Sequence, residues 1–226
     1  MNQVTARKIT KSMIKIGHPL FDVRTKEAQE KTVWIFNILK PYIKKDCSLI
    51  DLGCGTGKQS FTVEKLGAKV VGIDCSKEAI SFANYIKKET RSKCHFITCS
   101  YTKTSFRDSA FDIALFPRNI IECSYEEVEK LSLEINRILK KNGKFIVTME
   151  DGILRAIQNK MTDFRNYQFK TGMFDDKISL PDNKKYFYPT YFWTIPFAKQ
   201  IFSQNFKLEK EIKIDNNFYT LIFQKR

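Results

Sequence analysis

From Ser48 to Met149, short apolar runs alternate with segments whose apolar residues recur at helical spacing. The strand-like runs fall at about 48–52, 69–74, 94–98, 111–116 and 143–149, and the helical segments at about 57–66, 77–91 and 125–140. Nearly unbroken apolar strands suit a sheet covered on both faces, and their alternation with helices is the rhythm of right-handed βαβ crossovers. Upstream, Lys26–Lys40 predicts one amphipathic helix, stopped by Pro41. Downstream the period falls to two. Phe206–Ile214 and Phe218–Phe223 flank the turn Asp215-Asn216-Asn217 and predict a half-exposed antiparallel hairpin, preceded by a helix at about 196–204. Between strand five and that helix lies Asp151–Ile195, aromatic-rich through residues such as Phe164, Tyr167, Tyr188 and Trp193. A connection of this length inside a compact domain is usually functional; packing of its aromatics against the sheet edge is the plainer alternative.

The first strand runs straight into the chain's most specific motif. Leu49-Ile50-Asp51-Leu52-Gly53-Cys54-Gly55-Thr56-Gly57 is an apolar run, an acidic residue, then glycines at alternate positions before a helix. Such a turn carries no Cβ, so a ligand can lie against backbone at a helix N-terminus. A P-loop is excluded, because Leu52 stands where its first glycine belongs and Gln59 follows Lys58. The G-x-G-x-x-G dinucleotide turn is not satisfied either. The next apolar run, Lys69–Asp74, ends in a carboxylate 21 positions after Gly53, where it can accept hydrogen bonds from both hydroxyls of a ribose. Asp74 can also serve the N-cap region of the following helix.

These paired motifs resemble those of the class I S-adenosylmethionine-dependent methyltransferases. Ala110–Phe116 is similar to that family's fourth strand. Glu134, Arg137, Leu139 and Lys140 match its "E-x-x-R-x-L-K-P-G-G" helix and turn before strand five, with Lys141-Asn142-Gly143 in place of Pro-Gly-Gly. The resemblance implies a Rossmann-like α/β fold: a seven-stranded, mostly parallel sheet with an antiparallel last strand. It implies one methyltransferase domain over 1–226, divided into an N-terminal helical cap (1–44), a cofactor-binding core (45–150), a substrate-covering insertion after strand five (151–195) and a C-terminal helix and hairpin (196–226).

The same resemblance implies S-adenosylmethionine as cofactor, no metal, and contacts from Asp51, Gly53, Cys54, Gly55, Gly57, Asp74, Cys75, Ser100, Tyr101 and Phe116. Ser100 falls where family members often carry an acid for the adenine amino group. Phe21-Asp22-Val23-Arg24 is similar to an aromatic-Asp-x-Arg segment that many members place over the cofactor, which would turn Arg24 toward the methionine carboxylate; an exposed arginine at a helix start is the competing account. In the loop after strand four, Arg118 can pair with an anionic acceptor group and Asn119 can hydrogen-bond an amine or hydroxyl. Tyr167 and Trp193 are substrate-side candidates, each an apolar body with a polar tip. Glu122 and His18 are the candidate bases, although Glu122 can equally complement a helix dipole. His95 leads into a buried strand and reads as structural. The loop after strand four lacks the N/D-P-P-[YF] signature of adenine and glutamine methyltransferases.

Composition changes the picture in two places. A formal net charge of +14 over 226 residues can attract nucleic acid, an acidic small molecule or an anionic membrane surface. The basic residues are dispersed and lysine-rich, however, which fits a compositional bias and favours a small-molecule acceptor over RNA. Cys47, Cys54, Cys75, Cys94, Cys99 and Cys123 form no C-x-x-C pair, so neither a zinc site nor a disulfide scaffold is indicated. Reduced thiols in a cytoplasmic protein are the simpler account, thiol-dependent metalloid methylation the sharper one. No run reaches the length of a membrane span, and Met1–Lys8 lacks a signal-peptide core. Acceptor atom and oligomeric state leave no mark in this pattern.

Overall fold

Leu49 and Ile50 are adjacent and both fully buried, yet they belong to different cores. Their strand is therefore covered on both sides. In the computed structural model, which describes residues 14, 22–30, 32–117, 120, 123–152, 173–179, 185–191 and 193–226, the strands are β1 (Ser48–Leu52), β2 (Lys69–Asp74), β3 (His95–Thr98), β4 (Phe111–Pro117), β5 (Leu139–Glu150), β6 (Met173–Ser179), β7 (Lys185–Tyr191), β8 (Phe206–Lys213) and β9 (Phe218–Lys225). The helices are α1 (Lys26–Glu30), α2 (Val33–Leu39), α3 (Lys58–Glu64), α4 (Lys77–Thr90), α5 (Tyr125–Ile138) and α6 (Ile195–Phe202).

Seven strands form one sheet in the order β3-β2-β1-β4-β5-β9-β8. β1 through β5 pair in parallel, β9 is antiparallel to β5, and β8 is antiparallel to β9, so β9 alone runs against the others. On one face Ile50, Ala114, Phe145 and Leu221 pack with Leu131, Ile135 and Ile138 of α5 and with Ile201 and Phe202 of α6. On the other, Leu49, Ile113, Leu115 and Ile222 pack with α2, α3 and α4 through Leu39, Phe61 and Ile86. Phe145 is ringed by Phe202, Phe206 and Phe223 at centroid distances of 4.9, 5.4 and 5.9 Å. Burying each such side chain is worth about 1.5–3 kcal/mol.

The helices start where the chain supplies caps. Ser76 accepts the Ala79 N–H and opens α4; Ser124 and Glu127 cap each other's backbone in a reciprocal box and open α5. Both starts lie at the carboxyl edge of the parallel strands, which is where a doubly wound sheet holds its ligands.

Four expectations need correction. Lys26–Lys40 is not one helix but two, α1 and α2, and at the break the Thr32 hydroxyl donates to the Gln29 carbonyl at 2.8 Å. The helix expected to reach residue 140 ends at Ile138, because Leu139 turns extended and pairs with Phe111. The turn expected around Lys141-Asn142-Gly143 is instead an irregularity inside β5, with Asn142 at φ 63°. There a Cβ on Gly143 would lie 2.8 Å from the Lys140 carbonyl oxygen. Finally, the segment after strand five contains a two-stranded antiparallel sheet, β6 with β7, in place of an extended loop.

Candidate functional site

The turn after β1 holds Gly53, Gly55 and Gly57 at φ 70°, 54° and 85°, a region side-chain-bearing residues rarely occupy. It is tied to β2 by the Gly53 and Cys54 N–H groups, which both donate to the Ile73 carbonyl at 2.8 and 2.9 Å. The last two glycines differ in their surroundings. A Cβ on Gly57 would sit 2.7 Å from Phe96 and 2.8 Å from Phe61, whereas one on Gly55 would meet nothing within 4 Å. Gly57 is thus held by internal packing, and Gly55 borders open space. The paired rings of Phe61 and Phe96, 5.2 Å apart, form the turn's floor. They also exclude a side chain at Gly72, whose Cβ would meet Phe96 at 2.8 Å and the Cys54 sulfur at 2.9 Å.

Asp74 joins this turn to the start of α4. One carboxylate oxygen accepts the Gly55 N–H at 2.9 Å and the other accepts the Ser76 N–H at 2.8 Å. The carboxylate is half-buried beside the open side of Gly55, a position from which it can also take ribose hydroxyls.

Asp51 is fully buried one strand away. Its Oδ2 accepts the Ser60 hydroxyl at 2.6 Å, while Oδ1 has no hydrogen-bond partner among the described residues. Burial, reinforced by the charge of Asp74, raises its pKa to about 7; the Ser60 bond opposes this. An orphaned buried acceptor beside a glycine cradle fits a ligand that brings a cationic donor, as the ammonium of S-adenosylmethionine does.

Other anticipated cofactor residues occupy positions with narrower roles. The Phe116 side chain is fully buried and stacks edge-on with Tyr101 at 5.4 Å, leaving its backbone as the ligand-facing part. Cys54 is 4 % exposed with its thiol pushed up by burial, so it too can offer only backbone. Cys75, next to Asp74, is half-buried. The Ser100 hydroxyl lies 2.9 Å from that of Thr102, inside its own turn.

Two placements depart from expectation. Arg24 does not reach the glycine turn: it makes a bidentate pair with Asp22 at 2.9 and 2.6 Å and lies over the Tyr85 ring at 5.3 Å. Tyr85 is nine residues past Ser76, which is roughly 13 Å along α4 from its start. Trp193, expected to face substrate, is 2 % exposed; its indole N–H donates to the Cys123 carbonyl at 3.0 Å and its ring stacks on Phe197. With its polar tip so engaged, it is a core residue. His18, Arg118, Asn119, Glu122 and Tyr167 lie outside the described residues.

Sequence reading missed Ser60, the floor pair Phe61 and Phe96, and a tie of the loop after β3 to α5. In that tie Glu134 Oε1 accepts both the Thr104 N–H at 2.8 Å and the Thr104 hydroxyl at 2.6 Å, and Arg137 binds Glu134 and Asp108. A serine on the otherwise apolar face of α3 was the available signal for the first. Glu134 and Arg137 were visible as a motif, but not their loop partner. Among the described residues no group of His, Cys, Asp or Glu gathers as a metal-holding cluster, and no helix is long and apolar enough to cross a membrane.

Comparison with known proteins places this geometry. Residues 43–191 match the family model for a methyltransferase domain. The chain is 32% identical over 146 residues to the probable S-adenosylmethionine-dependent methyltransferase CRG1 of Saccharomyces cerevisiae, covering 61% of this chain and 47% of that protein. It is 32% identical over 136 residues to the ubiquinone biosynthesis O-methyltransferase of Pelagibacter ubique, covering 58% and 55%. The chain thus spans about half the length of these curated relatives. The crystal structure of the PH0226 protein from Pyrococcus horikoshii superposes with a TM-score of 0.75 at 25% identity, over 92% of this chain and 96% of that one. With its acid–glycine turn, its β2 carboxylate and a family match spanning most of its length, the chain belongs to the class I S-adenosylmethionine-dependent methyltransferases.

Proposed function

We propose that the protein transfers a methyl group from S-adenosylmethionine to an oxygen or nitrogen nucleophile of a small molecule, with sulfur and carbon as lesser options. The observation that carries the reading is the juxtaposition of Asp74, the open side of Gly55 and the orphaned oxygen of Asp51. Asp74 would hold the ribose hydroxyls and Asp51 the ammonium of the methionine end. The backbone of Cys75, Ser100, Tyr101 and Phe116 would line the adenine side. The cofactor supplies an electrophilic methyl group on a sulfonium. The chain's own task is to fix that methyl in line with the acceptor and exclude water, and positioning of this kind lowers a barrier by roughly 7–11 kcal/mol.

The long segment after β5 supports a small acceptor, since it adds a separate hairpin beyond the sheet. Arg118 and Asn119, in the loop after β4, are proposed acceptor contacts, Tyr167 is proposed within the covering segment, and Glu122 and His18 remain the proposed bases. The Pelagibacter relative, named for O-methylation in ubiquinone biosynthesis, supports the same substrate class. The net charge of +14 favours one second reading, methylation of RNA. A tritiated-methyl screen of the purified protein against metabolite, RNA and protein fractions separates the two. Label in small-molecule fractions supports the proposal; label confined to RNA or protein overturns it.

A further inference from the structure

A cavity of about 510 Å³ opens between α1, α3 and α4, toward the end of the sheet where β2 and β3 begin. It shares no lining residue with the glycine turn. Val23 and Phe61, both largely buried, supply apolar wall, and the polar part carries Arg24, Lys65, Arg91 and Lys93. Among the described residues Lys65, Arg91 and Lys93 form no salt bridge, while Arg24 is paired with Asp22. The one lining carboxylate, Glu64, accepts the Lys93 backbone N–H.

The simplest account of these cations is that they offset the negative C-terminal ends of α3 and α4. Its magnitude is too small. Four cations against two carboxylates, Glu64 and Asp22, leave two positive charges, and two helix ends supply only about one compensating negative charge. A positive remainder beside apolar wall, in a volume within the roughly 300–1,000 Å³ range of ligand pockets, selects a small anion with an apolar body. Phe61 gives that site a route to the cofactor turn: the ring that lines the cavity also comes within 2.8 Å of the Cβ position of Gly57. We propose that this cavity is an effector site for a small aromatic anion of the phosphomonoester class, coupled to the glycine turn through Phe61. The coupling, though not the binding, rests on the cofactor assignment above.

The test is calorimetry at low ionic strength with naphthyl phosphate as probe, with and without saturating S-adenosylhomocysteine. The Lys65→Ala/Arg91→Ala variant changes only exposed side chains, so it should fold normally. Binding should weaken at least tenfold in the variant, and inorganic phosphate and naphthol should each bind less well than the probe. The affinity should also differ with S-adenosylhomocysteine present, and by linkage S-adenosylhomocysteine affinity should shift by the same factor when the probe is bound. Equal binding to parent and variant overturns the site. Equal binding with and without S-adenosylhomocysteine overturns the effector role. If S-adenosylhomocysteine itself does not bind, the cofactor assignment fails, and the comparison of parent with variant still decides whether the anion site exists.

Discussion

The Asp74 carboxylate holds the Gly55 N–H at 2.9 Å, so the group proposed to bind ribose is also the clamp that shapes the glycine turn. Asp74→Ala should therefore weaken the cofactor and loosen the turn together. Losing hydrogen bonds to a charged acceptor costs on the order of 1.5–3 kcal/mol, which is roughly ten- to a hundredfold in affinity. Calorimetry with S-adenosylhomocysteine reads the first effect and thermal unfolding the second. Unchanged affinity would remove Asp74 from the ribose site.

Asp51 gives a pH signature. Burial raises its folded pKa to about 7, well above the ordinary carboxylate value of 3.8, so the folded chain holds a proton that the unfolded chain releases. The associated stability is fully present below about pH 4 and is lost as the pH rises toward 7. A shift of that size corresponds to about 4 kcal/mol. Asp51→Asn should thus be more stable than the parent at pH 8 and show a flatter pH profile between 4 and 7. It should also bind S-adenosylhomocysteine less tightly, having no charge for the ammonium. Parallel melting curves for parent and variant across that range would show that Asp51 does not titrate there.

Gly55 and Gly57 should separate function from stability. Gly57→Ala drives a methyl into the Phe61 and Phe96 rings and should cost about 1–3 kcal/mol on packing, with backbone strain in addition. Gly55→Ala meets no protein atom, so it carries only the left-handed backbone penalty of roughly 1–2 kcal/mol. Its larger effect should fall on cofactor affinity, because the methyl points into the open side of the turn. Unfolding and binding measured on the same two variants should rank them in opposite orders.

Glu134→Ala should release the loop after β3. It removes the acceptor of two Thr104 hydrogen bonds and strands Arg137, a loss of about 3–5 kcal/mol where a buried charged pair is broken, less here because Arg137 is partly exposed. Hydrogen exchange should quicken around residues 99–110 ahead of the sheet. Unaltered protection there would mean the loop is held by other contacts, such as the Tyr101 hydroxyl against the Cys123 sulfur at 3.1 Å.

The centre of the parallel half was legible because its inner strands β1 and β4 are covered on both faces and read as apolar runs, and because alternate glycines demand positive φ. The edge strand β3, exposed at His95, Ile97 and Thr98, was legible only through its place in the βαβ rhythm. The closing hairpin was legible through its period of two. Where reading failed, distant partners had decided the outcome. Leu139 leaves the helix because Phe111 pairs with it, and Trp193 goes to the core because a carbonyl 70 residues away takes its N–H. Nothing local in either residue encodes that partner. Arg24 is the opposite case: its partner Asp22 stood two residues away, and the nearby pair outweighed the more distant family role.

The placement of β9 between β5 and β8 sets the order in which this sheet can be assembled during synthesis. β8 leaves the ribosome first, but among the described strands it bonds only to β9, so it must wait for a strand made after it. Until Phe218–Lys225 arrives, the outer edge of β5 is an unsatisfied row of backbone donors and acceptors, open to pairing with another nascent chain. Aggregation during expression should accordingly track how quickly β9 is delivered, which makes the last few codons of this stretch a control point for yield quite apart from catalysis.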